Sequence, residues 1–555
     1  MATRSSFNAS EISKDNKIFS RFRTTIETAF YRNNVVNVNS RREAYKLAKE
    51  SPGTIVTQNE VHEPERLGLD PHTKILLFND GAVYGRYAGA RRIVDESGLD
   101  LDDLAAKIRE AIYRTRNKKM YHAQAFVGLH EDYMVRAHLL VPEYHENLLY
   151  NWLLNFQSLE SYYIDMYQRS RQLPDEGDIF VYTDPDWEHP DHPYGLAFFD
   201  PDHNVAAILG MRYFGEFKKG TLTLAWSCAS RNGYVACHGG QKRYNLKGDR
   251  SFVMGVFGLS GSGKSTLTHA KHNNKYDVTI LHDDAFIISL EDGSSVALEP
   301  AYFDKTADYP PSSPDNKYLL TLQNVGATID DNGNLVPVTE DIRNGNGRAI
   351  KSMLWSPNRV NKFDEPVNAV AWLMKDPVLP PVLKISNPCL ASALGATLAT
   401  KRTSAERLAP GADADALVFE PYANPFRTYP LKYDFIGFKD LFEKHDVSCY
   451  VLNTGYFMDK KVKKGTTLSI LEKIIEGADG FKNWGGFSDI DILEVEGFAP
   501  DLEDEEYLKF LSKQLKTRLD FILTLERTKE GYNKLPDEAY ESIEIFYNEV
   551  QKKIK

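Results

Sequence analysis

The sequence predicts an α/β protein of two domains. A mixed α+β domain covers roughly 1–240, and a second domain over 241–555 is built around one glycine-rich strand–loop–helix stretch. Two observations predict this. Short strand-like and helical signals alternate through the first part without an internal repeat, the pattern of a layered α+β domain. An apolar run from Phe252 to Phe257 then reads as a buried strand, and the chain passes from it into a loop of glycines and a helix start.

That loop is Gly258-Leu259-Ser260-Gly261-Ser262-Gly263-Lys264-Ser265, followed by Thr266. It fits G-x-x-x-x-G-K-[ST] in the strand–loop–helix setting the pattern requires. Its glycines let successive backbone N–H groups face an anion, and the helix start adds positive potential. Lys264 is expected to reach the β/γ-phosphates, and the Ser265 hydroxyl to ligate Mg²⁺. The second domain is therefore expected to be a P-loop nucleotide-binding domain.

Composition excludes several classes. A hydrophobic content of 42% and a charged content of 26% are those of an ordinary globular protein. The net charge of −11, from 67 basic and 78 acidic residues, speaks against nucleic acid or an anionic membrane as partner. No apolar run reaches the length of a membrane span. Cys228, Cys237, Cys389 and Cys449 form no CxxC pair and fit buried thiols in a reducing compartment. The stretch Met1–Arg23 lacks an apolar signal core and mixes Glu11 and Asp15 with basic residues, so a cytoplasmic location is expected, with residues 1–20 a loose leader.

In chain order, helical segments are expected around Phe19–Phe30 and Arg41–Lys49, with strands at Thr54–Thr57 and Lys74–Phe78 before an Asn79-Asp80-Gly81 turn. Tyr84–Arg92 then gathers Arg86, Arg91 and Arg92 with two glycines, either an anion site or a solvated basic turn. A helix over Leu99–Arg116, a strand pair Met120–Gly128 and Tyr133–Val141, a helix within Pro142–Leu159, and strands Asp178–Thr183 and Asn204–Leu209 follow. Read alone, Lys218-Lys219 is either surface charge or part of the chemistry, and His238 either a hydrogen-bonded structural histidine or a functional one, with the structural reading favoured for each. The strand Val278–Leu281 ends in His282-Asp283-Asp284, and P-loop proteins keep a metal-holding Asp at such a strand end. A hairpin at Ala285–Leu298, a turn-rich stretch ending in Arg343–Arg348, strands Ala369–Leu373 and Tyr450–Leu452, a helix Leu390–Ala399 leading to a basic turn-forming segment, and a charged helical cap over 503–555 complete the chain.

These landmarks, in this order, resemble the ATP-dependent phosphoenolpyruvate carboxykinases from about residue 53 to 500. Tyr213-Phe-Gly-Glu216-Phe-Lys218-Lys219-Gly220 is similar to the family's Tyr-x-Gly-Glu-Met-Lys-Lys-Gly. Val256–Thr266 is similar to its Phe-Gly-Leu-Ser-Gly-Thr-Gly-Lys-Thr-Thr, and Asp283-Asp284 stands where the family has Gly-Asp-Asp. Weaker echoes are Ala125–Gly128, Leu379–Val382, Glu420-Pro421, Asn424–Phe426 and Leu452–Gly455. Where the family reads Thr-Gly-Arg-Ser-Pro-Lys-Asp-Lys, this chain has Tyr84-Gly-Arg-Tyr-Ala-Gly-Ala-Arg91, keeping Gly85 and Arg86.

The resemblance implies that oxaloacetate and ATP give phosphoenolpyruvate, ADP and CO₂. It assigns Lys219, His238 and Asp284 to Mn²⁺ and Ser265 to the nucleotide's Mg²⁺. Arg86 would bind a substrate carboxylate, Tyr213 and Lys219 would line the oxaloacetate site, and Arg348 would bridge substrate and γ-phosphate. Thr466 stands near the place of a nucleotide-binding threonine. The partners implied are small molecules, with the oligomeric state open. Two rival readings are a phosphotransferase on this scaffold with a different acceptor, and a nucleotide-binding regulator without turnover.

Overall fold

The computed structural model describes all residues except 1, 14, 97, 260, 341–344, 402–416, 478–479, 528–531 and 555. The described residues form a mixed α/β protein with several sheets and twelve α-helices. They divide into two compact units. One gathers the described residues of Met1–Cys228 and Leu298–Pro357, the other those of Ala229–Ala297, Asn358–Thr403 and Pro410–Lys555. Among them, no helix is long and apolar enough to cross a membrane. Ser260, Arg343 and most of the basic segment after Ala399 lie outside the described residues.

The first unit holds a seven-stranded sheet ordered Val35–Val38, Met120–His130, Tyr133–Pro142, Ile179–Asp184, Val205–Leu209, Leu196–Asp200 and Arg91–Ile93. Its long central strands pair antiparallel from Met120 opposite Pro142 to Val127 opposite Val135. Both are covered on two sides, which explains why they read as nearly continuous apolar runs rather than alternating ones. The helices Arg21–Thr28 and Leu101–Arg114 start on Ser20 and Asp100, whose side chains accept from first-turn N–H groups. Their apolar stripes, including Phe22, Ile26, Leu104 and Ile108, pack on Met120, Leu140, Phe180 and Phe198.

The loose leader is corrected at its first residues. Ala2 and Thr3 are buried, and Arg4 forms a parallel bridge to Gly177. Thr3 Oγ1 lies 2.6 Å from the Tyr167 hydroxyl and donates to Asp178 Oδ1 at 2.5 Å. Asp178 is a fully buried carboxylate and needs such partners, which is what pulls the chain end in.

A five-stranded sheet in the same unit is ordered Tyr302–Lys305, Arg348–Lys351, Leu319–Gln323, Lys74–Phe78 and Thr54–Glu60. Its register sets Gln323 opposite Arg348 on one side and Phe78 on the other.

The second unit carries an eight-stranded sheet in which Ser251–Phe257, Ala369–Met374 and Ser448–Asn453 run parallel as neighbours. Their C-terminal ends come together, and ligands of open α/β sheets bind at such ends. The helices Lys264–His269 and Lys464–Ile475 share a core through Leu267, Ile470, Leu471 and Ile474 against Val256, Ile280 and Leu452. A smaller sheet pairs Tyr234–His238 with Ala285–Ser289, so that His238 faces Ala285 directly after Asp284.

Candidate active site

The glycine-rich loop leaves the strand Ser251–Phe257 with Gly261 and Gly263 in the left-handed region, at φ of 82° and 95°. Only glycine adopts that geometry freely, and it turns the loop into the helix that Lys264 opens. Lys264 Nζ lies 3.7 Å from Asp284 Oδ1. Leu259 and Ser262 are buried, whereas Ser265 and Thr266 are exposed at the helix start. Thr466 sits half-exposed in the first turn of Lys464–Ile475. The far end of the loop's helix is closed by Lys242, whose Nζ donates to the carbonyls of Leu267 at 2.6 Å and Ala270 at 3.0 Å. Burial pushes the pKa of Lys242 down to about 7.

Asp283 and Asp284 diverge. Asp283 points to His269, 3.5 Å away. Burial opposes its charge, but the hydrogen bond and charge of His269, with His282 and Lys264, hold its carboxyl well below the usual range. Asp284 Oδ1 instead lies 3.0 Å from His238 Nε2. The other ring nitrogen, Nδ1, donates to the Ala423 carbonyl at 2.5 Å.

This pair fits a divalent cation. A neutral imidazole has one N–H, and donating it from Nδ1 leaves the Nε2 lone pair facing a carboxylate oxygen. That contact is repulsive unless a second proton or a cation lies there. An Nδ1–H held by a backbone carbonyl is also the arrangement that orients Nε2 as a metal ligand. One nitrogen and one carboxylate oxygen suit a divalent metal ion. No cluster of three or more His, Cys, Asp or Glu side chains suited to a metal occurs among the described residues. Lys219, the third donor the resemblance implied, belongs to the first unit.

In that unit, Arg348 Nε donates to the Tyr213 hydroxyl at 3.1 Å, and the two residues are only 5% and 8% exposed. The Tyr213 ring folds over Gly215, where any Cβ would stand 2.4 Å from it, so the glycine of the motif makes room for the tyrosine. Arg91 Nε bonds Glu216 of the same motif at 2.7 Å. Burial lowers the Arg91 pKa, Glu216 opposes that shift, and the like charge of Arg86 adds to it. Arg86 is half-buried in the same loop. The two motif lysines are not surface charge. Lys218 forms a fully buried ion pair with Glu299 at 2.9 Å, and Lys219 is 6% exposed with Nζ 5.5 Å from the centre of the Trp226 ring.

Sequence reasoning passed over Lys375, which follows the strand Ala369–Met374 beside the loop strand. Its Nζ lies 3.9 Å from where a Cβ on Gly261 would be, and its stem packs against Gly455. The only signal was its place after a parallel strand adjoining the phosphate loop.

Known proteins resemble this chain in sequence. Residues 72–480 match the family described as phosphoenolpyruvate carboxykinase. A protein of Aeropyrum pernix named phosphoenolpyruvate carboxykinase (ATP) is 27% identical over 346 residues, covering 58% of this chain and 68% of that protein. A Dictyostelium discoideum protein of the same name is 25% identical over 219 residues, covering 35% of this chain and 36% of that protein.

Proposed function

The chain belongs to the phosphoenolpyruvate carboxykinase family, and on that premise we propose that it converts oxaloacetate and ATP to phosphoenolpyruvate, ADP and CO₂. The observation that carries the reading is that one chain contains both a phosphate loop bearing Lys264 and a buried Arg348–Tyr213 pair. The first needs a phosphoryl donor, and the second presents a fixed cation and a hydroxyl to a small anionic acceptor.

The first unit is read as the substrate domain and the second as the family's P-loop nucleotide domain. Arg86 and Tyr213 bind the carboxylate of oxaloacetate that stays with the product. Breaking the bond to the departing carboxylate releases CO₂ and leaves its electron pair as the enolate of pyruvate. The enolate oxygen then attacks the γ-phosphorus, and the bond to ADP breaks. Gly258 to Thr266 cradle the phosphates, Thr466 contacts the nucleotide, and Lys264 with Arg348 neutralises charge on the transferring group. His238, Asp284 and, as the neutral amine, Lys219 would hold Mn²⁺, and Ser265 the nucleotide's Mg²⁺, supplying positive charge against enolate and phosphates. Low exposure of Tyr213 and Arg348 keeps water from the acceptor side, where it would protonate the enolate.

The test is formation of phosphoenolpyruvate from oxaloacetate with Mg²⁺ and Mn²⁺, with ATP, GTP and pyrophosphate run in parallel. ATP-dependent turnover is expected. A folded, metal-supplied protein that turns over with none of the three would overturn the reading.

A further inference from the structure

We propose that Gln323 and Asn324 are positioning residues for this reaction, setting where Arg86, Tyr213 and Arg348 stand by gripping the backbone beside each of them. The proposal rests on the carboxykinase reading for the roles of those three residues, but the grip itself is a matter of geometry. Asn324 Oδ1 accepts from the Tyr84 N–H at 2.9 Å, while its Nδ2 donates to the Tyr84 carbonyl at 2.6 Å and the Asn346 carbonyl at 2.9 Å. Both amide hydrogens and one oxygen lone pair are thereby engaged. Gln323 Oε1 accepts from the Phe214 N–H at 3.0 Å, and its Nε2 donates to the Arg212 carbonyl at 2.7 Å.

Each of these bonds ends within two residues of a substrate-side group. Tyr84 precedes Arg86 by two positions, Asn346 precedes Arg348 by two, and Arg212 and Phe214 flank Tyr213. Gln323 also stands directly opposite Arg348 in the sheet. Consecutive side chains of a strand point to opposite faces, so two neighbours could not ordinarily serve one site. Asn324 escapes that rule because its backbone is left-handed, at φ of 62°, a conformation asparagine tolerates better than most residues. Both residues are only 3% exposed, so water does not compete for the bonds. The approach they enforce is close. Asn346 Nδ2 also donates to the Tyr84 carbonyl at 2.6 Å, and a Cβ on Gly85 would stand 2.8 Å from that nitrogen.

Asn324→Gly deletes the grip without straining the backbone, since glycine takes positive φ freely. Gln323→Glu keeps the acceptor for Phe214 and removes the donor to Arg212. The expected result for Asn324→Gly is a fall of about 10- to 100-fold in kcat/KM for oxaloacetate, the scale of an ångström-sized misplacement of reacting groups. The KM for ATP should stay within about twofold. Amide hydrogen exchange, which needs no turnover, should quicken in residues 84–87 and 346–349 while residues 258–266 keep their rates. Gln323→Glu should instead quicken exchange at residues 212–215.

Equal losses for both substrates, with faster exchange throughout the chain, would make these residues merely structural and overturn the proposal. So would unchanged exchange in the gripped segments. Should Asn324→Gly fail to fold, Asn324→Asp, which keeps the left-handed preference and the acceptor but repels both carbonyls, gives the same readings. A wild type without turnover whose exchange still responds to the variants would sink the carboxykinase reading and leave the grip standing. Normal wild-type turnover with unresponsive exchange would sink the grip alone.

Discussion

Replacing Tyr213 by Phe removes one oxygen and leaves the ring that packs over Gly215. The loss falls on Arg348, whose Nε donates to that hydroxyl at 3.1 Å inside a site where the two residues are 5% and 8% exposed. A hydrogen bond to a charged group is worth about 1.5–3 kcal/mol net, and one decade of rate is about 1.4 kcal/mol. Tyr213→Phe should therefore lower kcat/KM for oxaloacetate by about 10- to 150-fold, through an arginine no longer pinned in its buried position. The assay is phosphoenolpyruvate formation at saturating ATP with oxaloacetate varied, alongside thermal melting to show an intact fold. A loss smaller than about threefold would refute the reasoning. So would a loss confined to the KM for ATP, because Tyr213 acts through Arg348, whose proposed place spans the acceptor as well as the γ-phosphate.

Three further outcomes test the second unit. Burial raises the Asp434 carboxyl to about 7, against the opposing pull of Arg427 and the Tyr429 hydrogen bond. Between the unfolded value of about 4 and that value, the folded chain holds a proton the unfolded chain has lost, so stability should fall as pH rises through this window. Asp434→Asn keeps an acceptor for Tyr429 Oη and should flatten that decline in urea midpoints between pH 4.5 and 7.5; an unchanged slope counts against it. Lys375→Ala should raise the KM for ATP about tenfold and leave that for oxaloacetate alone, since its Nζ reaches the loop at Gly261. His238→Ala should weaken Mn²⁺ binding at least about tenfold when titrated directly by calorimetry or spin resonance, and equal affinity would remove His238 from the metal set.

What could be read from the sequence was local. The strand Ser251–Phe257, the glycines at 261 and 263 and the lysine after them lie within a few residues of one another, so their spacing alone signals the loop. The central strands Met120–His130 and Tyr133–Pro142 were legible for the same reason. Lys218-Lys219 misled because surface charge and a buried pair look alike until Glu299 is known to stand opposite Lys218. The run Leu222–Cys228 gave no helical period because the helix Phe214–Arg231 there is buried around most of its circumference. Gln323 and Asn324 gave no signal at all. Their partners lie 109 to 240 positions away apart from Asn346, and no window of sequence contains both ends of those bonds.

The same long-range bonds account for how the Arg86 loop could diverge from the family pattern without losing its shape. When a loop's path is set by its own turn chemistry, most of its residues are constrained. Here the path at Tyr84 is set from outside, by the amides of Asn324 and Asn346, which grip its backbone and so place no demand on its side chain. The constraints left are few. Gly85 has to lack a Cβ, because Asn346 Nδ2 occupies that space. Position 91 needs a cation to meet the buried Glu216, and the Arg91 found there keeps the positive charge of the family's lysine. On the proposed reading, Arg86 is kept for the substrate's carboxylate. Tyr87 packs on Tyr194, with ring centres 4.7 Å apart, and Ala88 and Gly89 are exposed. The drifted side chains have found partners of their own, Tyr84 donating from its hydroxyl to Asp80 at 2.6 Å and Tyr87 stacking on Tyr194, and drift of this kind is compatible with unchanged chemistry at Arg86.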